Sequence, residues 1–283
     1  GEIPLATGGI SKILKHTNPN SKDHESHLNL LTIGSAVGST NSVIMIDKDQ
    51  VIVFGGKQNG NEYSPSNKVF LIDFSNSFKP QVKELKSMNN ARSNGNATIM
   101  PDGKIFLNGG HSFNDLEFSV FTPEIYDPNK QISYEMDDAY FRRNYHSTSL
   151  LLPNGTIFTA GGDVWNAEIF YPPYLFTKDV NNKSILAPRP KIKEIEKNIK
   201  RNLTYNVQIE GDIKRVTLIS TGSTTHAQAS ESKFRELNFI KISDNEIQIS
   251  LDVNPNNIQN GTYLLFVLDS KGVPSEGKIV YVN

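Results

Sequence analysis

A tyrosine and a histidine stand side by side at positions 145 and 146, directly before a strand-like run that starts at Ser147 and turns at Pro153-Asn154-Gly155. An imidazole changes its charge near neutral pH, and imidazole nitrogens suit copper and zinc. The same pair is also an ordinary beginning for a β-strand. The residue types alone therefore leave a metal site and a plain strand start both open.

Other side chains with possible chemistry occur singly. His24-Glu25-Ser26-His27 has the residue types of a metal site, but no helical period supports it, so we predict a solvated polar arm. His111 follows Gly109-Gly110 and is a candidate pocket residue. Arg142-Arg143 would attract an acidic substrate, although a surface turn is the expected role. Trp165 is expected to pack between neighbouring repeats.

Composition narrows the class of protein. The chain has 283 residues, 37% of them hydrophobic, which is enough for a real core. Its 29 basic and 30 acidic side chains nearly cancel and form no long basic run, so nucleic acid is not an expected partner. No apolar stretch reaches the roughly 18 residues that a membrane-spanning helix needs. The chain has no cysteine, which excludes disulfides and thiolate ligands within it.

Location has a weaker signal. The first residues, Gly1-Glu2-Ile3-Pro4, do not resemble a signal peptide, so any export signal is expected to have been removed. The Asn-x-Ser/Thr pattern suits a secreted protein, although chance in a chain rich in asparagine explains it as well. We expect a secreted or extracytoplasmic protein. The acceptor positions are Asn96, Asn154, Asn182, Asn202 and Asn260.

Gly-Gly pairs recur at 55–56, 109–110 and 161–162, and each pair closes two strand patterns joined by a turn. A period of about 50 residues is typical of kelch-type propeller blades. The turns are Asp47-Lys48-Asp49, Pro101-Asp102-Gly103 and Pro153-Asn154-Gly155. A third strand is predicted in each repeat, at Val69–Ile72, Ser119–Phe121 and Ala167–Phe170.

Three regions follow from these patterns: a polar arm at 1–33, a partial kelch-like propeller at 34–187 and an immunoglobulin-like β-sandwich at 188–283. The last region has about seven short alternating strands, including Arg215–Ser220 and Tyr263–Leu268. The fold class is therefore all-β. Closed propellers usually have four to eight blades, so three blades leave open sheet edges. Further blades are expected on a longer chain or on a partner chain.

Four groups of motifs resemble the C-terminal part of the galactose oxidase and glyoxal oxidase family of copper radical oxidases. The match runs from about residue 34 to the end of the chain. The motifs are Phe121-Thr122-Pro123-Glu124-Ile125-Tyr126; Tyr145-His146-Ser147 with Leu150-Leu151-Leu152-Pro153; Ala167-Glu168-Ile169-Phe170-Tyr171-Pro172-Pro173-Tyr174-Leu175; and Ser223-Thr224-Thr225-His226 with Leu265-Phe266-Val267 and Gly272-Val273-Pro274-Ser275.

This resemblance implies a copper site at the axis of a closed propeller, with an early set immunoglobulin-like domain supplying one ligand. Tyr145 would be the axial ligand and general base, and His146 and His226 would be the two imidazole ligands. Tyr63 would lie near the substrate. The implied reaction oxidises a primary alcohol or aldehyde with O2 and gives hydrogen peroxide. Small alcohols, aldehydes and carbohydrates are the expected ligands.

The chain departs from the family in one decisive respect. The family's radical cofactor joins a tyrosine to a cysteine, and a chain without cysteine cannot form it alone. Asn94 also stands where galactose oxidases have an aromatic residue, which argues against galactose as substrate. Two alternatives therefore remain open. One is a catalytically inactive module for carbohydrate or protein binding, and the other is a redox-silent copper or zinc site.

Overall fold

The computed structural model describes residues 14–15, 28–29, 40–57, 65–76, 79–113, 118–225, 228–230, 232–254 and 257–283. Strands dominate these residues and no α-helix occurs among them, which confirms the all-β class. A 3-10 turn spans Pro173–Leu175. Within these residues, no helix has the length and apolar character needed to cross a membrane.

A short antiparallel pair, β1 (Leu14–Lys15) and β2 (Leu28–Asn29), precedes three antiparallel sheets in which consecutive strands are neighbours. The first two sheets have four strands each and the third has three. The first sheet contains β3 (Ser42–Asp47), β4 (Gln50–Phe54), β5 (Val69–Asp73) and β6 (Gln81–Leu85). The second contains β7 (Ser93–Ile99), β8 (Ile105–His111), β9 (Glu124–Asp127) and β10 (Ile132–Glu135). The third contains β11 (Ser147–Leu151), β12 (Ile157–Gly161) and β13 (Glu168–Phe170).

The first strands of the three sheets lie side by side, β3 against β7 and β7 against β11. Short polar side chains join them. Ser42 Oγ donates to the Gly95 carbonyl at 2.5 Å, and Asn96 Nδ2 donates to Ser147 Oγ at 2.7 Å. Ser42, Asn96 and Ser147 have polar side chains, and these three residues are buried, as is Gly95. Paired polar groups therefore hold β3, β7 and β11, the inner strands, together, because a buried polar group must find a hydrogen-bond partner.

The third strand predicted at Ser119–Phe121 is wrong. Ser119 forms an isolated β-bridge with His111 and is not part of a strand, and the strand begins at Glu124, after Pro123. Proline lacks the N–H that a ladder needs, so pairing starts beyond it. The fourth strands β6 and β10 were not predicted. They lie at sheet edges and are mostly solvent-exposed, so they lack the alternating apolar pattern of a half-buried strand.

After the third sheet come the hairpin β14 (Phe176–Lys178) and β15 (Ser184–Leu186) and then two further sheets. Residues from both sheets form one apolar core that includes Val207, Leu218, Ile249 and Leu265. One sheet contains β16 (Lys191–Glu194), β18 (Thr204–Glu210), β24 (Glu246–Ser250) and β23 (Phe239–Ser243) in that spatial order. The other contains β17 (Asn198–Ile199), β26 (Lys278–Val282), β25 (Gly261–Leu268), β19 (Arg215–Ser220) and β22 (Phe234–Leu237). A separate hairpin pairs β20 (Ser223–Thr225) with β21 (Gln228–Ser230).

The C-terminal sheet that contains β19, β22 and β25 packs directly on the first two sheets. One core cluster combines Ile44 and Ile52 of the first sheet with Phe234, Leu264 and Phe266. The turns of the β-hairpins also dock here. Thr217 Oγ1 donates to the Pro101 carbonyl at 3.1 Å, and the Gly277 N–H donates to the Pro153 carbonyl at 2.7 Å. This packing fixes the position of the β20–β21 hairpin relative to the inner strands.

Candidate functional site

The three repeats share one unusual backbone position. Thr40, Asn94 and His146 have φ values of 70°, 56° and 64°, in the left-handed region that side chains other than glycine rarely adopt. Thr40 and His146 lie one or two residues before the first strand of their sheets, and Asn94 is the second residue of β7. Each lies opposite a Gly-Gly pair whose glycines have positive φ. The spacing of these three residues matches that of the glycine pairs. His146 therefore occupies a position that the fold repeats, not an isolated irregularity.

Tyr145 and His146 are the central residues of a β-turn. The Ser147 N–H closes the turn on the Asn144 carbonyl at 3.0 Å. Positive φ at the second central position is the geometry of a type II turn, which glycine or asparagine usually fills. Asn144 is buried, and its Nδ2 donates to Ser119 Oγ at 2.9 Å. The turn is thus tied to the neighbouring repeat and presents its two side chains outward.

The two rings lie against each other in solvent. Their centroids are 4.0 Å apart with an angle of 33° between the planes. Tyr145 is 46% exposed and His146 is exposed as well. A phenol oxygen and an imidazole nitrogen therefore lie on one accessible patch, where a ligand can reach both. Among the described residues no group of three or more His, Cys, Asp or Glu side chains forms a metal cluster.

An ion pair between the buried Arg143 and the half-buried Glu168 supports this turn from below. Arg143 is 1% exposed, and its Nη2 donates to Glu168 Oε2 at 3.1 Å and to the Asn166 carbonyl at 2.9 Å. Burial lowers the pKa of the Arg143 guanidinium, and the Glu168 carboxylate opposes that shift. The prediction of a surface turn is therefore wrong for Arg143. Its charge is neutralised inside the protein and holds the segment that leads to Tyr145.

The second sheet has the equivalent pair. Arg92 donates to Glu124 Oε1 at 2.7 Å and to the Gly109 carbonyl at 2.8 Å, and both side chains are at most 3% exposed. Burial raises the pKa of Glu124, but the Arg92 charge and several hydrogen bonds outweigh burial and lower it. Neither ion pair was predicted from the sequence. The available signal was the recurring Glu-Ile-aromatic triplet, Glu124-Ile125-Tyr126 and Glu168-Ile169-Phe170.

The β20–β21 hairpin lies on the inner strands. Its strand β21 contacts β3, β7 and β11, and β20 contacts β11. The tip of this hairpin, residues 226–227, lies outside the described residues. The predicted ligand His226 thus lies in sequence between two strands that together contact the first strand of every repeat. The role of His226 itself stays a prediction.

His111 is buried at the end of β8. Its Nδ1 lies 2.5 Å from the Phe113 carbonyl, which can only accept, so Nδ1 carries the proton. Nε2 then accepts from Asn94 Nδ2 at 3.0 Å. Burial lowers the pKa of His111, the hydrogen bond to Phe113 raises it, and the positive charge of Lys57 lowers it further. His111 holds Asn94, the counterpart of His146, and its role in a substrate pocket stays a prediction.

The remaining residues singled out in the sequence have different outcomes. Tyr63 lies outside the described residues, as does the His24–His27 segment. Trp165 is fully exposed, at 104% of its reference area, so the prediction that it packs between repeats is wrong. Its neighbour Asn166 is held through its carbonyl by Arg143. The loop backbone is therefore anchored while the indole projects into solvent.

Comparison with known proteins places these features in a family context. Residues 189–282 match the family described as galactose oxidase-like, Early set domain. The chain is 28% identical over 259 residues to a galactose oxidase of Gibberella zeae, which covers 86% of this chain and 37% of that protein. It is 25% identical over 280 residues to an aldehyde oxidase of Arabidopsis thaliana, covering 84% of this chain and 44% of that protein. The chain thus spans less than half the length of these curated relatives.

The fold has a solved counterpart. A fungal alcohol oxidase in complex with copper superposes with a TM-score of 0.79 and 22% sequence identity, covering 89% of this chain and 55% of that one. At this level of identity the match establishes the fold. Together with the sequence matches it confirms the resemblance to galactose oxidase and glyoxal oxidase that the motifs indicated.

Proposed function

We propose that this chain is the C-terminal part of a copper-dependent oxidase of the galactose oxidase and glyoxal oxidase type. Residues 34–187 would be the last blades of a kelch-type propeller, and residues 188–283 an immunoglobulin-like domain. The complete protein would oxidise a small primary alcohol, an aldehyde or a carbohydrate with O2 and release hydrogen peroxide. The names of the two curated relatives and of the copper-bound structural neighbour support this class of reaction.

The observation that carries the proposal is the Tyr145-His146 turn. It presents a phenol and an imidazole on one exposed patch, and the hairpin flanking position 226 lies across the same inner strands. Imidazole and phenolate oxygen suit Cu(II), whose tetragonal geometry leaves positions for other ligands. Tyr145 and His146 would hold copper together with His226. Tyr63 and His111 would lie toward the substrate.

Copper at this position would supply one-electron redox chemistry and a binding point for the substrate oxygen. The residues of this chain have simpler tasks. His146 would fix the metal through a backbone that the repeat already specifies, and Arg143 with Glu168 would hold the turn in place. The Tyr145 oxygen would receive the alcohol proton as a general base. Its exposure leaves it within reach of a substrate that approaches from solvent.

The radical half of the family's mechanism does not fit this chain. The tyrosine-cysteine cofactor needs a thiol, and none of the 283 residues is cysteine. We therefore assign no radical step to these residues. A missing upstream segment or a partner chain that completes the blades would have to provide it. The same completion would cover the open edges of the propeller.

The absence of cysteine favours one second candidate function. In it the blades and the immunoglobulin-like domain would bind carbohydrate or protein without catalysis. A redox-silent metal site on the same three residues is the intermediate case. We place the protein outside the cytoplasm in each case, in line with its resemblance to galactose oxidase and glyoxal oxidase.

Copper titration followed by electron paramagnetic resonance tests the proposal. The wild type should bind one Cu(II) with a tetragonal spectrum, and His146→Ala, His226→Ala and Tyr145→Phe should each change or abolish that spectrum. His27→Ala, in the polar arm of the sequence, is the matched control and should leave the spectrum unchanged. Peroxide formation is then measured with primary alcohols and aldehydes on the chain and on any longer form. Failure to bind one copper per chain would contradict the oxidase assignment and leave a binding module.

A further inference from the structure

A cavity of about 760 Å³ lies between the second and third sheets and is lined by residues of β8, β12, β13 and β14. Its floor is formed by Phe106 and Phe170, whose rings stack with centroids 4.3 Å apart. The β14 strand closes one side, and residues 137–140 close another. This volume falls within the range of small-molecule sites. None of the residues predicted for the copper site lines it.

The polar side chains that line this cavity include carboxylates, which accept hydrogen bonds, and hydroxyl groups, which both donate and accept. Asn108 is 4% exposed, and its buried Oδ1 accepts no hydrogen bond. Asp137 and Asp138 stand exposed at the mouth, with Asp138 accepting from Thr122 Oγ1. Because Asn108 Oδ1 is buried, a ligand in the cavity would meet the exposed Asp137 and Asp138 carboxylates instead.

Aromatic rings supply the apolar part of the lining. Tyr140 is 89% exposed, Tyr171 is 55% exposed and Phe176 is 38% exposed. Large exposed rings around one cavity are uncommon on a protein surface and mark places where ligands or partners bind. A ligand with flat C–H faces would cover these rings. It would also carry the hydroxyl donors that the acceptors need.

The charges around the cavity decide between ligand classes. Glu168 also lines it, but its carboxylate is neutralised by Arg143 and accepts the Tyr140 N–H at 2.8 Å. Lys178 lines the rim and repels a cation, while Asp137 and Asp138 repel an anion. A neutral molecule with many hydroxyl groups meets neither repulsion. We propose that this cavity is an accessory binding site for a neutral saccharide, separate from the copper site.

Isothermal titration calorimetry in the presence of a chelator tests this site without involving copper. The probes are the neutral disaccharides maltose, cellobiose and lactose, with glucuronate as the anionic probe and choline as the cationic probe. At least one disaccharide should bind, and both charged probes should bind more weakly or not at all. Tyr140→Ala removes a ring that is almost fully exposed and keeps the backbone N–H that Glu168 accepts.

Loss of one stacked ring should weaken disaccharide binding by about three- to tenfold. Tyr281→Ala is the matched control, because Tyr281 is 45% exposed on β26 and does not line the cavity. It should leave the affinity unchanged, and thermal unfolding should show that both variants fold. The proposal is overturned if no disaccharide binds, if choline or glucuronate binds more tightly, or if Tyr140→Ala binds as tightly as wild type. A failed copper titration would leave this result untouched.

Discussion

The imidazole of His146 is attached to a backbone conformation that costs a branched or bulky residue free energy. At φ 64° the Cβ atom crowds the following carbonyl, at a cost of about 1–2 kcal/mol, and asparagine tolerates this region best after glycine. Asn94 and Thr40 occupy the same place in the other repeats. Stability and ligand chemistry therefore make different demands on this position and can be separated by substitution.

His146→Asn should unfold in urea with a free energy within about 0.5 kcal/mol of wild type, because asparagine adopts the left-handed region readily. His146→Val should lose about 1–2 kcal/mol, because a β-branched side chain is strained there. Both variants should lose the copper spectrum. Equal stability of the two variants would show that the backbone at this turn relaxes freely.

His111 should make stability depend on pH below neutrality. In the unfolded chain its imidazole takes up a proton near pH 6.5, whereas burial lowers its pKa in the folded chain. The unfolded state then binds more protons in the window below pH 6.5, so stability is complete above that pH and falls as the pH is lowered. The His111 NMR signal should titrate below pH 6.5, and His111→Gln should weaken the pH dependence of unfolding. A midpoint at or above 6.5 would contradict this account.

At the residue scale the sequence predicted where the phenol and imidazole lie but not what holds them. The Tyr145-His146 motif placed the pair directly before a strand, and β11 does begin at Ser147. Arg143 was misjudged because a charged residue is usually exposed. Its burial depends on Glu168, which only the folded sheet brings within hydrogen-bond distance. Such long-range pairing leaves no local pattern in the sequence.

At the scale of single elements, the glycine pairs explain how closely consecutive sheets can approach. A Cβ atom on Gly109 would lie 1.9 Å from the Arg143 carbonyl oxygen, and one on Gly55 would lie 2.3 Å from the Arg92 carbonyl oxygen. In each case the neighbour is the segment that leads into the next sheet. The repeat of Gly-Gly in the sequence thus reflects backbone contact between sheets as well as positive φ.

Gly109→Ala should lower the free energy of unfolding by about 3 kcal/mol or prevent folding, since it adds steric overlap to an unfavourable φ of 67°. Gly272→Ala is the matched control. Gly272 has a similar φ of 79°, but nothing lies within 4 Å of the added Cβ, so the expected loss is about 1 kcal/mol. Urea unfolding followed by circular dichroism measures both. Equal losses would show that the overlap relaxes.

The elements were predicted best where they are half-buried. The paired strands before each glycine pair appear in the structure, because their apolar residues alternate with turns of recognisable type. The edge strands β6 and β10 were missed because they are mostly exposed, so few apolar residues mark them in the sequence. The third strand of the second sheet was placed too early because apolar residues of a loop, Val120 and Phe121, resemble a strand in sequence.

At the scale of the whole molecule, one core cluster joins the first two sheets to a C-terminal sheet. Arg189 strengthens this junction by donating to the carbonyls of Asn154, Pro274 and Ser275 at 2.6–2.8 Å. Phe234 of β22 packs with residues of the first sheet, while Leu237 of the same strand packs only within the C-terminal core. Parts that share a core should unfold together.

Calorimetry should therefore show one unfolding transition for the chain. Phe234→Ala and Leu237→Ala should both shift that single transition, by about 3–5 and 2–5 kcal/mol respectively, because each leaves a buried void. Two transitions, with Leu237→Ala affecting one alone, would show that the sheets unfold independently. The sequence could not foretell this coupling, because the residues at the junction look like ordinary core residues of their own strands.

The whole fold also separates the glycosylation acceptors. Asn96 is 2% exposed and its side chain donates to Ser147, so a glycan cannot be attached there in the folded chain. Asn154, Asn182, Asn202 and Asn260 are exposed. On export from a eukaryotic cell, any glycans on the folded protein should be found at those four positions, and peptide mass spectrometry should show Asn96 unmodified.

The full exposure of Trp165 has a practical optical consequence. It is the one tryptophan in the sequence, and its indole is surrounded by water in the native chain as it is in the unfolded chain. The wavelength of its fluorescence therefore changes little on denaturation, and emission spectra would record a stable protein and an unfolded one almost alike. The same indole is an accessible reporter of whatever approaches the loop beyond Gly161-Gly162, through quenching by solutes or shielding by a bound partner.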